Sequence, residues 1–389
     1  MKQLLYFDHA ASAPRRDEVV EAMAKWQHGV VGNPSGSHKA AREARRAIED
    51  ARDQVAEFVG AAPGSVIFTA GGTESCHLAI AGVAGAHRRT HEKTEIVVSK
   101  IEHHAVLDAA QYMEREHESV SVRYLDVDSD GVVDLESLGE HLNENTAIVS
   151  VMSANNETGI TQPLDGVNSL AKQLVAGGVP THTDAIAAAS WLNLPITTAT
   201  MDLVSLCAHK IGGPVNSGAL IMRNNVPLDA VMPGGGQERG RRGGTVDVAA
   251  AVGLAEACRL TRQELTETTD RVLDFQHKMM AAFSFLPGCQ ITAPDAARVA
   301  GTVHLTFEGL ASDEILFLLD QEGICASAAA SCSSGAAEPS HVLAAMGISP
   351  ERARGSLRLS MGAENTQEEV DQLIATLSAV IYRLLGEAI

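Results

Sequence analysis

Aromatic side chains make up only 4% of this 389-residue chain, so alanine and the aliphatic residues must fill most of its interior. A basic surplus is also missing: 30 Lys and Arg stand against 49 Asp and Glu, for a net charge of −19. That balance excludes a nucleic-acid backbone as a direct partner, since no excess cations exist to displace its counterions. It favours solubility and suits a protein partner with a basic patch. No stretch reaches the roughly 18 apolar residues of a membrane-crossing helix, so no membrane partner is expected. The opening MKQLLYFDHAAS is too short in its apolar run for a signal peptide, and Asp8 and His9 interrupt it. A cytoplasmic location follows as the expectation. The six cysteines (Cys76, Cys207, Cys258, Cys289, Cys325 and Cys332) are widely and irregularly spaced. They form neither a disulfide framework nor a CxxC zinc pattern. His103, His104, His182 and His209 lack close ligand spacing as well, so no metal site is expected.

What is present is length and alternation. A chain of 389 residues exceeds one small domain, and 45% apolar content supplies material for a sizeable core. Residues 38–59 place Ile48, Val55, Phe58 and Val59 at helical spacing among charges. Strands are expected at 66–69, 95–99, 121–127, 146–152, 180–184, 203–207 and 217–222, with helical stretches between most of them. This alternation implies an α/β layer fold with a largely parallel sheet. After about residue 245 the pattern changes. A long helical stretch over 246–283 leads to strands near 302–307 and 355–360, flanked by helices 312–322 and 366–386. Thr366 followed by Glu369 reads as a capping box opening the last helix. The second part is therefore a smaller α+β domain.

Several segments could carry chemistry. The loop 70–75 (AGGTES) joins a strand to a helix expected over Cys76 to Gly85. Its glycines suit either a tight turn or a phosphate held by backbone N–H groups. Lys210, in SLCAHKIGGP, follows an apolar strand at the edge where α/β folds place ligands, and a lysine there can form a Schiff base; a surface lysine is the plainer alternative. Asp184 ends the strand-like THTD, as a helix cap or as the partner of a cation. His103 and His104 open a helix after strand 95–99, where an imidazole can stack on a ring or move protons. Cys332 lies in AAASCSSG, a run of small residues that suits an exposed, mobile nucleophile better than a packed thiol. Cys258 and Cys325, in helical and strand settings, read as structural. Arg358 sits within SLRLS, facing either a carboxylate or water.

The order of the segments is more specific than any one of them. YFDHAASAP, GNPSGSH, FTAGGTES, EHHAV, NNETG, HTDA, AHK, GGGQERGRRGGT and SCSSGAAEPSHVL follow one another along nearly the whole chain. Together they resemble the cysteine desulfurases of the NifS/IscS type. These belong to the class V aminotransferase group of pyridoxal-phosphate enzymes, with the type I fold. The resemblance implies a large cofactor-binding domain over 15–254, with 1–14 and 255–389 forming a small domain that carries the catalytic cysteine. It implies that Lys210 holds pyridoxal 5'-phosphate, His103 stacks on its ring and helps move protons, Asp184 pairs with the ring nitrogen and Asn156 reaches the ring's phenolic oxygen. Gly72, Thr73 and His209 would bind the phosphate, with Thr245 reaching in from the second subunit of a homodimer. Arg358, helped by Asn33, would hold the carboxylate of L-cysteine. Cys332 would take the sulfur as a persulfide, leaving alanine, and pass it to an acceptor protein for iron–sulfur clusters or tRNA thiolation.

Two positions depart from the family pattern. Ala187 stands where a glutamine near the phenolic oxygen is usual, and Cys207 where a phosphate-binding serine is usual. Each change removes a hydrogen bond of about 1 kcal/mol, which modifies cofactor hold without touching Lys210, Cys332 or Arg358. Cys76 and His77, in TESCH, have no role assigned by the resemblance. A selenocysteine lyase, another class V aminotransferase or a weakly active scaffold in sulfur transfer are the alternative readings.

Overall fold

Seven strands form the central sheet of the computed structural model, which describes residues 4–223, 226–328 and 340–386. The strands in chain order are β1 (Leu5–Tyr6), β2 (Val66–Thr69), β3 (Thr94–Ser99), β4 (Val120–Leu125), β5 (Thr146–Ser150), β6 (Thr181–Asp184), β7 (Leu203–Cys207), β8 (Gly218–Met222), β9 (Cys289–Ile291), β10 (Thr302–Phe307), β11 (Ile324–Cys325) and β12 (Ser356–Ser360). The large sheet has the order β2-β8-β7-β6-β5-β3-β4. β7, β6, β5, β3 and β4 run parallel, and β8 alone runs antiparallel between β2 and β7.

The apolar runs read from the sequence are continuous because this sheet is covered on both faces. Successive residues of β3 alternate between two cores: Val97 joins one, while Ile96 and Val98 join the other. The helix Lys39–Val59 and the first half of Val248–Phe283 pack on one face. The helices Gly72–Arg88 and His104–Glu116 pack on the other, with Ile80, Val83, Val106 and Met113 buried.

A second core surrounds the antiparallel sheet β12-β10-β9 and the parallel pair β1–β11. Here the scarce aromatics concentrate, with Phe7, Phe275, Phe283 and Phe307 among the eight phenylalanines of the chain. The 36-residue helix Val248–Phe283 joins the two cores. Leu254 and Cys258 lie in the first, and Val272, Phe275 and Met279 in the second. Among the described residues no helix is long and apolar enough to cross a membrane.

Most expected elements occur within one or two residues of their places. One boundary differs in a way that matters: the helix expected to begin at Cys76 begins at Gly72. Gly71 takes φ 147°, a conformation that favours glycine. Glu74 then folds back to accept the Ala70 N–H at 2.6 Å, so Gly72 and Thr73 enter the first turn. The capping box is present: Thr366 Oγ1 accepts the Glu369 N–H at 3.3 Å, and Glu369 Oε2 accepts the Thr366 N–H at 3.1 Å. Thr366→Ala is expected to lower stability by about 1 kcal/mol, measured as a shift of the urea midpoint with an unchanged slope.

Candidate active site

The parallel strands of the large sheet deliver side chains to one edge. Asp184 ends β6, Lys210 follows β7, and His103 and Asn156 follow β3 and β5. This is the edge on which open α/β sheets bind ligands. There a cleft of about 490 Å³ opens against the second core, within the size range of small-molecule sites. Gly72, Thr73, His103, Asn156, Asp184, Cys207, His209, Lys210 and Arg358 all line it.

Lys210 is held by the chain's opening segment. Its Nζ donates to the Ala11 carbonyl at 2.8 Å and to that of Ala10. That segment is fixed in turn, since the Ala10 N–H donates to Ser360 Oγ at 2.8 Å. Lys210 thus bridges the large sheet to β12 across the cleft.

Asp184 is buried, and its hydrogen-bond partners are uncharged. Oδ1 accepts the Ile186 N–H at 2.9 Å, and Oδ2 lies 3.7 Å from the Cys76 thiol. Burial raises its pKa, while His103 and the bonds from Ile186 and Cys76 lower it. His103 caps the helix His104–Glu116, with Nδ1 accepting the Ala105 N–H at 3.0 Å. A neutral ring with Nδ1 as acceptor carries its proton on Nε2. Burial, helped by Lys210, keeps this imidazole below its usual pKa, against the pull of Asp184. His209, beside Lys210, is pushed down to about 4 by burial and is neutral at physiological pH. Next to His103, Glu102 is fully buried. Its Oε1 accepts from Ser99 Oγ at 2.9 Å and the Met152 N–H at 2.7 Å, and burial raises its pKa to about 8.

Arg358 points inward from β12, with only 3% of its surface exposed. Its Nη2 donates to Asp8 Oδ1 at 2.9 Å and its Nη1 to the Asn156 carbonyl at 3.0 Å. The Nε–H is buried and unpartnered among the described residues. A guanidinium carries five N–H groups, so these two bonds do not exhaust its donors, and Arg358 lines the cleft where a carboxylate would enter. Asp8 was not singled out by sequence reasoning as a site residue. The signal was its interruption of the apolar opening run, but its partner lies 350 positions away.

At the other end of the cleft the first turn of the helix Gly72–Arg88 presents backbone N–H groups, as anion sites require. A Cβ on Gly72 would lie 2.3 Å from Ile186 Cδ1, so a side chain there would displace a residue that lines the cleft. Cys207 is buried nearby, and burial drives its thiol up to about 12. It is a neutral, weak donor there. Ala187 lines the cleft and brings no hydrogen-bonding group.

Asn33 lies away from this cleft, together with Thr245, the residue expected to serve a second subunit's site. Asn33 and Thr245 line a separate cavity of about 260 Å³, with Arg45 and the buried pair Arg52–Glu238. The Asn33 side chain accepts the Ser35 N–H at 2.9 Å. Within one chain, therefore, Asn33 does not assist Arg358, because the segment that carries it runs into the helix Lys39–Val59 away from β12. Cys332 lies outside the described residues. Among the described residues no group of three or more His, Cys, Asp or Glu side chains could hold a metal ion.

The family model described as aminotransferase class-V matches residues 5–373. An IscS-like cysteine desulfurase of Mycobacterium tuberculosis is 41% identical over 98% of this chain and 97% of its own length. The cysteine desulfurase IscS of Methanosarcina thermophila is 37% identical over 98% of this chain and 92% of its own. Among solved structures, a NifS-like protein matches with a TM-score of 0.90 and 32% identity, over 98% of this chain and all of that one. SspA in complex with cysteine matches at 0.78 and 31%, over 94% of this chain and all of that one.

Histidines buried in neutral form set an acid limb of stability. His304 is fully buried against Thr292, and burial pushes it down to about 3. An unfolded histidine titrates near 6.5, so below that pH the unfolded state binds the extra proton and stability falls. His304→Gln is expected to remove about 1.4 kcal/mol per pH unit from this fall between about pH 6 and pH 4. Urea denaturation of both proteins across that range measures the difference.

Proposed function

The chain belongs to the class-V aminotransferase family, and from that premise we propose that it is a cysteine desulfurase. It converts L-cysteine to L-alanine and passes the sulfur, carried as a persulfide on Cys332, to an acceptor protein. The observation that carries this reading is the convergence of Lys210, Asp184, His103 and Arg358 on one cleft, in a chain 41% identical to an IscS-like cysteine desulfurase.

The cleft fits pyridoxal 5'-phosphate. A buried carboxylate whose hydrogen-bond partners are a thiol and an amide, with its pKa raised by burial, is suited to a protonated ring nitrogen, whose positive charge would favour its ionised form. The helix start at Gly72 and Thr73 suits the phosphate, with His209 beside it, and Lys210 supplies the amine for covalent attachment. Asn156 lines the same cleft and would serve the ring's phenolic oxygen. When bound, this cofactor withdraws electrons from the substrate Cα and so makes its proton removable.

The remaining work falls to side chains of this chain. Arg358 binds the substrate carboxylate and orients the amino acid. Lys210 Nζ and His103 Nε2 are the groups placed to move protons. The Cys332 thiolate attacks the substrate sulfur: an S–S bond forms as the Cβ–S bond breaks. The electron pair stays on carbon, which takes a proton to become the methyl group of alanine. Ser327, which lines the cleft, exchanges backbone hydrogen bonds with Arg358. Cys332 follows it by five positions, a span of at most about 18 Å. Beyond it, Ser340 is tied to Glu157 Oε2.

The second cavity is the place for a neighbouring subunit. Asn33 and Thr245 sit outside their own chain's cleft, and exposed Val30 precedes the one while exposed Val231 and Met232 precede the other. A homodimer that exchanges these segments would complete both sites.

Purified protein is expected to show a visible absorption band that Lys210→Ala removes. Cys332→Ala is expected to keep the band and lose sulfide release from L-cysteine by at least about a hundredfold. Undiminished release from Cys332→Ala would overturn the persulfide step, and a colourless protein that takes up no pyridoxal phosphate would overturn the cofactor assignment.

A further inference from the structure

Behind Asp184 lies a line of buried polar side chains for which the reading above has no use. Ser150 Oγ lies 2.8 Å from His182 Nδ1, and His182 Nε2 lies 2.9 Å from Ser205 Oγ. Ser205 also bears on the Cys76 thiol, lowering its pKa against the pull of burial, and the Cys76 thiol lies 3.7 Å from Asp184 Oδ2. Cys76, Ser150, His182 and Ser205 have no exposed surface. The relay crosses the adjacent strands β5, β6 and β7 and ends on the helix Gly72–Arg88.

Simple bookkeeping of protons gives the line a direction. A carboxylate can only accept, so the thiol donates to it. With its one proton engaged, the sulfur is left only an acceptor's role toward the neighbouring Ser205 hydroxyl. The Ser205 oxygen then accepts from Nε2 of His182, and the bare Nδ1 accepts from Ser150. This requires a neutral His182, and burial pushes that ring down to about 3. Cys76 stays a thiol throughout, since burial and the neighbouring Asp184 raise it well above its usual value. Every hydrogen in the line points toward Asp184. Donors aligned in one direction polarise one another in a medium of low dielectric, and donation to a carboxylate favours its ionised form.

We propose that Cys76 is a positioning residue of the cofactor site, the last link of a buried donor relay from Ser150 through His182 and Ser205. It fixes Asp184 Oδ2 and favours the ionised form of that carboxylate toward the ring nitrogen. The Ile186 N–H fixes the other oxygen, so both are oriented before any ligand arrives. The charged and titratable groups that bear on this carboxylate from the remaining elements are His103 and Lys210, with Glu102 behind the thiol. The inference rests on the pyridoxal-phosphate reading of the cleft and adds the residue that tunes its carboxylate.

The test uses full-length apoprotein titrated with pyridoxal phosphate and followed by visible absorption. Wild type, Cys76→Ala and Cys76→Ser are compared. Loss of a donor to a charged group is expected to weaken cofactor binding in Cys76→Ala by roughly tenfold and to shift its absorption maximum. Cys76→Ser, which keeps a donor, is expected to restore both. Affinity within twofold of wild type together with an unmoved maximum in Cys76→Ala would overturn the proposal. Equal damage in Ala and Ser would overturn it too, because packing alone would then explain the loss. Should Cys76→Ala fail to fold, Ser205→Ala breaks the relay one link earlier and carries the same test, with an unchanged affinity and maximum counting against the relay. Failure of the wild type to bind the cofactor would sink the underlying reading instead, so the two failures are distinguishable.

Discussion

A carboxylate that is buried and hydrogen-bonded only to uncharged groups is the constraint around which the cleft is arranged. Asp184 ends β6 at the centre of the parallel sheet, and burial works against its charge. Its neighbours are ordered by that cost: an amide on one oxygen, a thiol on the other, and His103 and Lys210 on the cleft side. Elsewhere such a group would neutralise itself. Here the neighbours offset only part of the cost of burial, which still raises its pKa, and the group lines an open cleft, which is the condition for receiving a cation.

The second constraint is the joint between the two cores. Lys210 comes from the large sheet yet is held by carbonyls at Ala10 and Ala11. Arg358 comes from β12 yet is held by Asp8 and by the Asn156 carbonyl of the large sheet. The opening segment therefore lies between the cores and ties the lysine and the arginine to one another. The long helix Val248–Phe283 keeps the cores in register by contributing apolar residues to each. Positioning of this kind needs rigid elements on both sides of the cleft.

Much of this was legible in the chain. The places of Asp184 and Lys210 at strand ends, the helix opening at His103 and the strand that carries Arg358 followed from alternation and from the edge at which α/β sheets bind ligands, whereas the direction in which Arg358 faces did not. The pairing of Asp8 with Arg358 was not legible, because nothing local links positions 350 residues apart. Cys76 gave only a departure from the usual run, TESCH. Its meaning depends on which face of the helix Gly72–Arg88 meets β6 and β7. Asn33 illustrates the converse: its motif was clear, yet within one chain it lines a different cavity from the one that holds Arg358.

Periodicity and the order of motifs, then, are properties of the sequence by itself, and they determined the layer architecture, the family resemblance and the residue types of the cleft. Such features are encoded within short windows, where backbone geometry dictates which side chains share a face. Only the tertiary structure decided which charges meet. The partners of Asp184 and Arg358 come from segments far apart in the chain, and burial, which sets how strongly each charge is felt, exists only once those segments have packed.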